Sequence, residues 1–451
     1  MRRRLSISSG AAVVVLAVAL AALSLLAPHA PGYDPWAWLI WGRELAQGGL
    51  DTREGPAFKP LPVLVDAGLW RLAGDDAAPA LWLLVARAGA LAGAGLAGRL
   101  AHRLAGGSLV AGVVAGAGVL LTAGYAWHGA IGSVEGVGLA FGVLAVGLAL
   151  DGRHRPALAA GAAIALLRPE SWLLLGAYGL WVARGDRVLR PWLAGGAVAV
   201  LALWFVPEWF GSGDLLRSGD RARVPNAGAP ATAAVPAWAA LQAAAGLPLL
   251  PLLLAAFAAP GRARVPALLG AVWIAEVAVM AQLLGTSGEP RYSLPGAALI
   301  AVSGAVGVVA LARRAAGAWS SSRAPGLAVV AALAVLLASG GALRAGGVAD
   351  ELRRAADQAE LTEALGVAIT AAGGAERLLA CGPPVAGRYR GPLVAWALDV
   401  PRSAVRSPAG PGGATLRSRL RRGAPLEPAA PARAPVVARS ARWSITARCG
   451  S

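Results

Sequence analysis

Apolar stretches long enough to cross a hydrocarbon core about 30 Å thick recur along residues 1–343. No other feature limits the possible folds so sharply, because a chain in lipid must satisfy its backbone amides internally, here within helices. The composition agrees. Of the 451 residues, 57% are hydrophobic and 14% charged, against about 25% charged in soluble domains. The expected fold is an α-helical polytopic membrane protein.

A formal charge of +17 raises the question of nucleic acid. Its distribution argues against that partner. The arginines of the first 343 residues sit mostly in short connections between apolar segments, as topology signals do. No basic run interleaves with aromatics as in a nucleic-acid groove. Lys59 is the single lysine among 41 basic residues, so arginine, alanine and glycine abundance reflects coding bias more than function.

The basic start Met1–Arg4 and the apolar run 11–26 read as an uncleaved first transmembrane helix rather than a signal peptide, since many spans follow. Further spans read as 79–99, 108–126, 134–150, 156–169, 171–183, 191–207, 236–258, 265–285, 293–312 and 325–343, about eleven in all. With the N-terminus inside, the inner connections hold Arg99 and Arg103, Arg153 and Arg155, then Arg184, Arg187 and Arg190. Arg262 and Arg264, then Arg313, Arg314 and Arg323, complete the series. The outer turn at 127–133 carries no arginine. This threading implies a multi-pass protein of the bacterial inner membrane, with its N-terminus cytoplasmic and its C-terminus extracytoplasmic. The loops 28–78, 208–235 and 288–295 and the tail then lie on the outer face, where function is expected.

Residues 1–343 are read as the transmembrane domain and 344–451 as a small extracytoplasmic α/β domain. Asp350–Ala372 reads as an amphipathic helix, Arg377–Cys381 as a strand, Pro392–Leu398 as helical, and Pro435–Val437 and Trp443–Arg448 as strands. Cys381 and Cys449 fit one disulfide on the oxidising side, or two buried thiols.

Chemistry concentrates in the outer segments. Tyr33–Glu44 reads as an amphipathic helix in the first outer loop, with Asp34 as N-cap and Pro35 at the first helical position. Trp38, Trp41 and Leu45 recur at helical spacing, placing the helix along the membrane interface. Arg168-Pro-Glu170 and Glu289-Pro-Arg291-Tyr292 set cations beside acids at the outer ends of spans. Ion pairs at membrane depth are costly unless they face each other or a polar cavity. With Lys59, and with His128 and Glu135 flanking an outer turn, they describe an outer cavity lined by cations and carboxylates. Asp66 and Glu276, each inside an apolar stretch, are further candidates to face it.

An Asp on the first outer loop, a Lys-Pro segment later in it, an Arg-Pro-Glu after the middle helices and a Pro-Arg-Tyr before a late helix together resemble the GT-C glycosyltransferases. The pattern is similar to the lipid-linked-sugar transferases that include protein O-mannosyltransferases and the lipid A aminoarabinose transferase. The resemblance covers roughly residues 1–343, and an outer C-terminal domain is common in that superfamily.

The resemblance implies transfer of a sugar from a polyprenyl phosphate carrier to an acceptor hydroxyl on a glycan, lipid or protein, with membrane lipids as surroundings and no cofactor. It makes Asp34 the catalytic base and Lys59, Arg168, Arg291 and Tyr292 the phosphate and donor ligands. Trp36, Trp38 and Trp41 would stack on sugar, Glu170 would orient Arg168, and His128, Glu135 and Glu289 would support. The family often carries two adjacent acids, whereas Asp34 is followed by Pro35 and Trp36. Glu44 and Asp51 are the nearest acids downstream. No multi-carboxylate or histidine cluster suggests a metal. A transporter or flippase of lipid-linked precursors, and a non-catalytic scaffold of the same fold, are the alternatives. Catalysis requires Asp34 within about 10 Å of the Arg168 or Arg291 guanidinium, because acceptor and phosphate must meet.

Overall fold

The computed structural model describes residues 2–317, 324–387, 389–407, 413–419, 423–429 and 434–447. It is built mostly of helices. The first half contains α1 (Arg2–Ser24), α2 (Tyr33–Ala46), α3 (Pro60–Leu104), α4 (Leu109–Leu120), α5 (Tyr125–Ala130), α6 (Glu135–Leu150), α7 (His154–Ala165) and α8 (Ser171–Gly185). The second half adds α9 (Arg190–Ser212), α10 (Arg217–Ala222), α11 (Pro236–Ala245), α12 (Leu250–Ala255), α13 (Val265–Leu284), α14 (Leu294–Gly317), α15 (Ala324–Ala371), α16 (Ala375–Ala380) and α17 (Gly391–Ala397). Four strands, β1 (Val385–Ala386), β2 (Thr415–Ser418), β3 (Val436–Arg439) and β4 (Trp443–Thr446), form one sheet in the order β1-β2-β4-β3. β1 and β2 are parallel, and the other pairs antiparallel.

Among the described residues four helices are long and apolar enough to cross a membrane, or five if the bent pair α11–α12 counts as one span. About eleven were expected. Four of the other expected spans fall on α4, α6, α7 and α8, whose 12, 16, 12 and 15 residues are short of the ~17 that a span along the bilayer normal needs, while α1 and α15 cover the first and last expected spans. The stretch expected as a single span at 236–258 is instead two helices bent by 99°.

The stretch Pro290–Ala315, which includes most of α14, is the centre of the helix layer. Its most apolar window is 89% buried, against 11% for the span containing α9. Such burial requires close backbones, and glycine supplies them. A Cβ on Gly307 of α14 would lie 1.8 Å from the Ala255 carbonyl oxygen of α12, and one on Gly304 would lie 2.2 Å from that of Leu252.

α3 changes direction at Gly74, where φ is 68° and ψ −171°, a conformation that only glycine adopts without strain. Pro79, which cannot donate a backbone hydrogen bond, follows one turn later. The leg before Gly74 packs under α2, and the leg after it joins the helix layer.

α2 corrects a sequence expectation. It does not lie open along the interface, because Pro35–Arg43 are all buried. Trp36 packs on Trp396 of α17 at 5.7 Å, Trp38 on Trp82 of α3 at 5.8 Å, and Trp41 on Phe58 at 5.8 Å. The tryptophans are therefore core residues. Gly32 is the N-cap, so Asp34 sits inside the first turn and does not cap it.

The tail folds back over this outer layer. α15 runs unbroken from the last expected span through the expected amphipathic helix. Its Glu351 accepts from the backbone N–H of Gly124 and Trp127 at 2.8 and 2.9 Å, fixing the outer turn. The Trp443 indole of β4 donates to Leu361 O at 2.8 Å. Arg377–Cys381, expected as a strand, is helix α16 and its cap, with Gly374 preceding it at φ 92°. Cys381 follows α16; Cys449, the other half of the expected pair, lies outside the described residues.

Candidate active site

Five chain segments deliver charged side chains to one place. The start of α2 is pinned by the Gly32 N–H, which donates to Ile131 O at 2.8 Å, so Asp34 stands beside the α5–α6 turn. Lys59 is the extended N-cap of α3, followed by Pro60 at the first helical position. Leu61 N–H donates to Leu166 O at 3.3 Å, joining that cap to the turn that carries Arg168. Glu135 is in the first turn of α6, where the helix dipole favours an anion. Arg291 and Tyr292 lie in the 3₁₀ turn Pro290–Ser293 that leads into α14.

Two guanidiniums organise the cluster. Arg291 Nη1 donates to Asp34 Oδ2 at 2.9 Å, and its Nε lies 2.9 Å from Glu289 Oε2. Arg168 pairs with Glu135 and lies 3.8 Å from Glu170 Oε1. The Tyr292 ring sits between the two cations, 4.6 Å from the Arg168 guanidinium carbon and 5.3 Å from that of Arg291. Its hydroxyl accepts from Ser287 Oγ at 3.2 Å. The Trp273 indole donates to its carbonyl at 2.7 Å, holding the turn in place.

The two halves differ in access. Side-chain exposure is 3% for Arg168 and 1% for Glu135, but 21% for Arg291 and 14% for Asp34. The Asp34–Arg291 pair is thus the more solvent-accessible half, and Arg168–Glu135 the buried one. Arg168 Nε, Glu135 Oε2 and Glu170 Oε2 are buried without a hydrogen-bond partner within the protein, unmet capacity of the kind that a polar substrate or water satisfies.

Lys59 lies under this cluster, its Nζ 5.8 Å from the Trp38 ring. Burial pushes it down to about 7, and Arg168 adds to the shift; Glu135 and Asp34 oppose it. His128 is likewise lowered by burial, with Glu135, Arg291, Arg168 and Asp34 as its charged neighbours. It is near Ser133, Nδ1 to Oγ 3.3 Å. Asp34, Lys59, Arg168, Arg291, Tyr292, Glu135, Glu170, Glu289 and His128 therefore converge.

Other expected residues do not. Glu44, ten residues along α2 from Asp34, is about 15 Å away along the axis. It accepts from the Asp51 N–H at 2.8 Å, and burial raises it to about 7. Asp51 holds Arg53 and the Ser403 hydroxyl and so ties the first loop to the tail. Trp36 and Trp38 are buried in packing. Asp66 is pressed against Gly42 of α2, and both its carboxylate oxygens lack partners.

The structure adds residues that carry no sequence signal. Asn226 Nδ2 donates to Glu289 Oε1 at 2.8 Å, and the Tyr389 hydroxyl donates to Asn226 Oδ1 at 3.2 Å. A chain of contacts thus runs from the tail through Asn226, Glu289 and Arg291 to Asp34. Buried Glu208 faces Arg217 at 3.7 Å, and Arg217 donates to Pro56 O and Gly55 O, bracing the loop before Lys59.

Neither a family model nor a curated protein sequence matches the chain. Solved structures do. ArnT from Cupriavidus metallidurans bound to undecaprenyl phosphate is similar with a TM-score of 0.55 at 16% identity, covering 99% of this chain and 98% of that one. The apo form of that protein gives 0.56 at 16% identity, covering 96% and 97%. The chain has, over nearly its whole length, the fold of ArnT.

Proposed function

We propose that this protein transfers a sugar from a polyprenyl phosphate carrier to an acceptor hydroxyl at the outer face of a bacterial inner membrane. The observation that carries the reading is the 2.9 Å contact between Asp34 and Arg291, formed beside Arg168 and Lys59 in a chain with the fold of ArnT. A carboxylate and a set of cations within one site are what the reaction needs.

The acceptor hydroxyl gives its proton to Asp34 as its oxygen attacks the anomeric carbon. The bond from that carbon to the phosphate oxygen breaks, and its electron pair stays on the departing polyprenyl phosphate. Arg291, Arg168 and protonated Lys59 stabilise the charge that gathers there. Arg291 engages Asp34 in the free protein, so a phosphate that takes over this guanidinium leaves the Asp34 carboxylate open to the acceptor. Donor binding and base activation are thereby one event. Glu289 keeps Arg291 oriented through the exchange, and Tyr292 holds the two guanidiniums apart on its faces.

The test is a glycan and glycolipid profile of a strain lacking this protein. Loss of one glycoform, restored by the wild-type chain, supports transfer. An unchanged profile with the polyprenyl-linked donor at its normal level contradicts it. Accumulation of that donor on the inner side alone favours a flippase.

A further inference from the structure

At the ends of α6, α7 and α8 remote from Glu135, Arg168 and Glu170, the turn 151–156 and the connection 184–189 enclose a depression of about 890 Å³. It is the larger of the two described cavities and is distinct from the candidate active site. Three arginines and one acid line it. Arg155 is 3.9 Å from Asp186, which bridges the two turns. Arg153 and Arg184 have no acidic partner among the described residues. Topology explains why arginines lie at this end of the helices; it does not explain why two of them face a common cavity with unspent charge.

The lining also includes two rings, His154 and Trp181. The His154 ring meets Trp181 edge-on at 5.3 Å, and Tyr178 stacks on Trp181 at 5.9 Å. His154 Nδ1 lies 2.8 Å from the Tyr178 hydroxyl, within hydrogen-bond distance. Gly152, with φ 71°, and Gly185 have nothing within 4 Å of a Cβ position, so the mouth stays open. Beside it Leu180, Trp181, Val188 and Trp192 are 57–76% exposed. Exposed indoles next to arginines mark head-group depth.

The geometry points to a binding site for the phosphate of an anionic glycerophospholipid, on the membrane face opposite the candidate active site. Arg153 and Arg184 hold the phosphate, and the acyl chains lie along the apolar surface that carries Val188 and Trp192. A soluble phosphate compound shares the charge but has no use for that surface.

The test uses the full-length protein in neutral detergent and follows its thermal unfolding midpoint against added lipid. Phosphatidylglycerol should raise the midpoint at concentrations where phosphatidylcholine does not. In the double variant Arg153→Ala/Arg184→Ala, half of the effect should need roughly tenfold more phosphatidylglycerol. Arg314→Ala, which removes a charge from the same end of the bundle outside the cavity, should respond like wild type. If the double variant does not unfold cooperatively, the single variants Arg153→Gln and Arg184→Gln carry the test, each with a smaller loss. Equal responses to the two lipids, a wild-type response in the cavity variants, or an equal loss in Arg314→Ala would overturn the assignment. Inorganic phosphate matching the lipid at low millimolar concentration would assign the cavity to a soluble anion instead.

Discussion

Arg291 and Asp34, 257 residues apart in the chain, meet at 2.9 Å where the start of α14 reaches the start of α2. The contact joins the first outer loop to the late turn, and Glu289 and Asn226 extend it towards the tail. A change at either partner acts on both the proposed base and the proposed phosphate ligand.

Arg291→Lys tests the fork. An ammonium is a point charge and does not reproduce two directed contacts to Asp34 and Glu289. Transfer should fall by about a hundredfold, while the unfolding midpoint moves little, since the pair is partly exposed. A variant that keeps full activity would reduce Arg291 to a generic positive charge.

Lys59 gives the site a pH signature. Its folded-state value is pushed down to about 7, so the ammonium is present below that pH and lost above it. Donor affinity should weaken as pH rises through about 7, and Lys59→Arg should flatten this limb. The stability effect has the opposite sense. Between about 7 and 10.5 the unfolded chain binds the proton that the folded chain has released, so this residue's contribution to stability rises with pH across that window. Lys59→Met should therefore raise the unfolding midpoint at pH 6 while abolishing transfer.

Gly307→Ala tests the packing of the central helix. The new methyl would collide with the Ala255 carbonyl at 1.8 Å, so α12 and α14 must separate. The expected cost is about 1–3 kcal/mol, read as a lower unfolding midpoint in detergent. An unchanged midpoint would show that the two helices part freely.

Glu351→Ala removes the acceptor of two backbone N–H groups in the α5 turn. Leaving them unpaired should cost about 1–3 kcal/mol and loosen the turn that precedes Glu135. Amide exchange at Gly124 and Trp127 should rise ahead of the rest of the layer.

The clustering of charged side chains was legible in the sequence because expensive residues stand out in apolar surroundings. Arg168, Glu135, Lys59 and Arg291 have no cheap place near a membrane, so their convergence follows from charge alone. Asn226 and Tyr389 were not legible. Polar residues in a Pro- and Ala-rich loop and in the tail carry no periodic signal, and only the folding-back of the tail gives them a partner. The spacing of Trp38 and Trp41 did show an α-helix, but amphipathic spacing does not say what covers the apolar face. Here α3 and α17 cover it, as the contacts of Trp38 and Trp36 show. Helix lengths were misjudged where apolar composition continues through a turn, as at Gly246–Leu249 between α11 and α12.

The most direct measurement is complementation of a strain lacking this protein with Asp34→Asn, expressed at the wild-type level, read by its glycan and glycolipid profile. Asparagine keeps the shape and still accepts from Arg291, but it does not take a proton. We expect the glycoform restored by wild type to stay absent, with transfer reduced by about 10²–10⁴-fold. Full restoration by the Asn variant would contradict the assignment of Asp34 as the base.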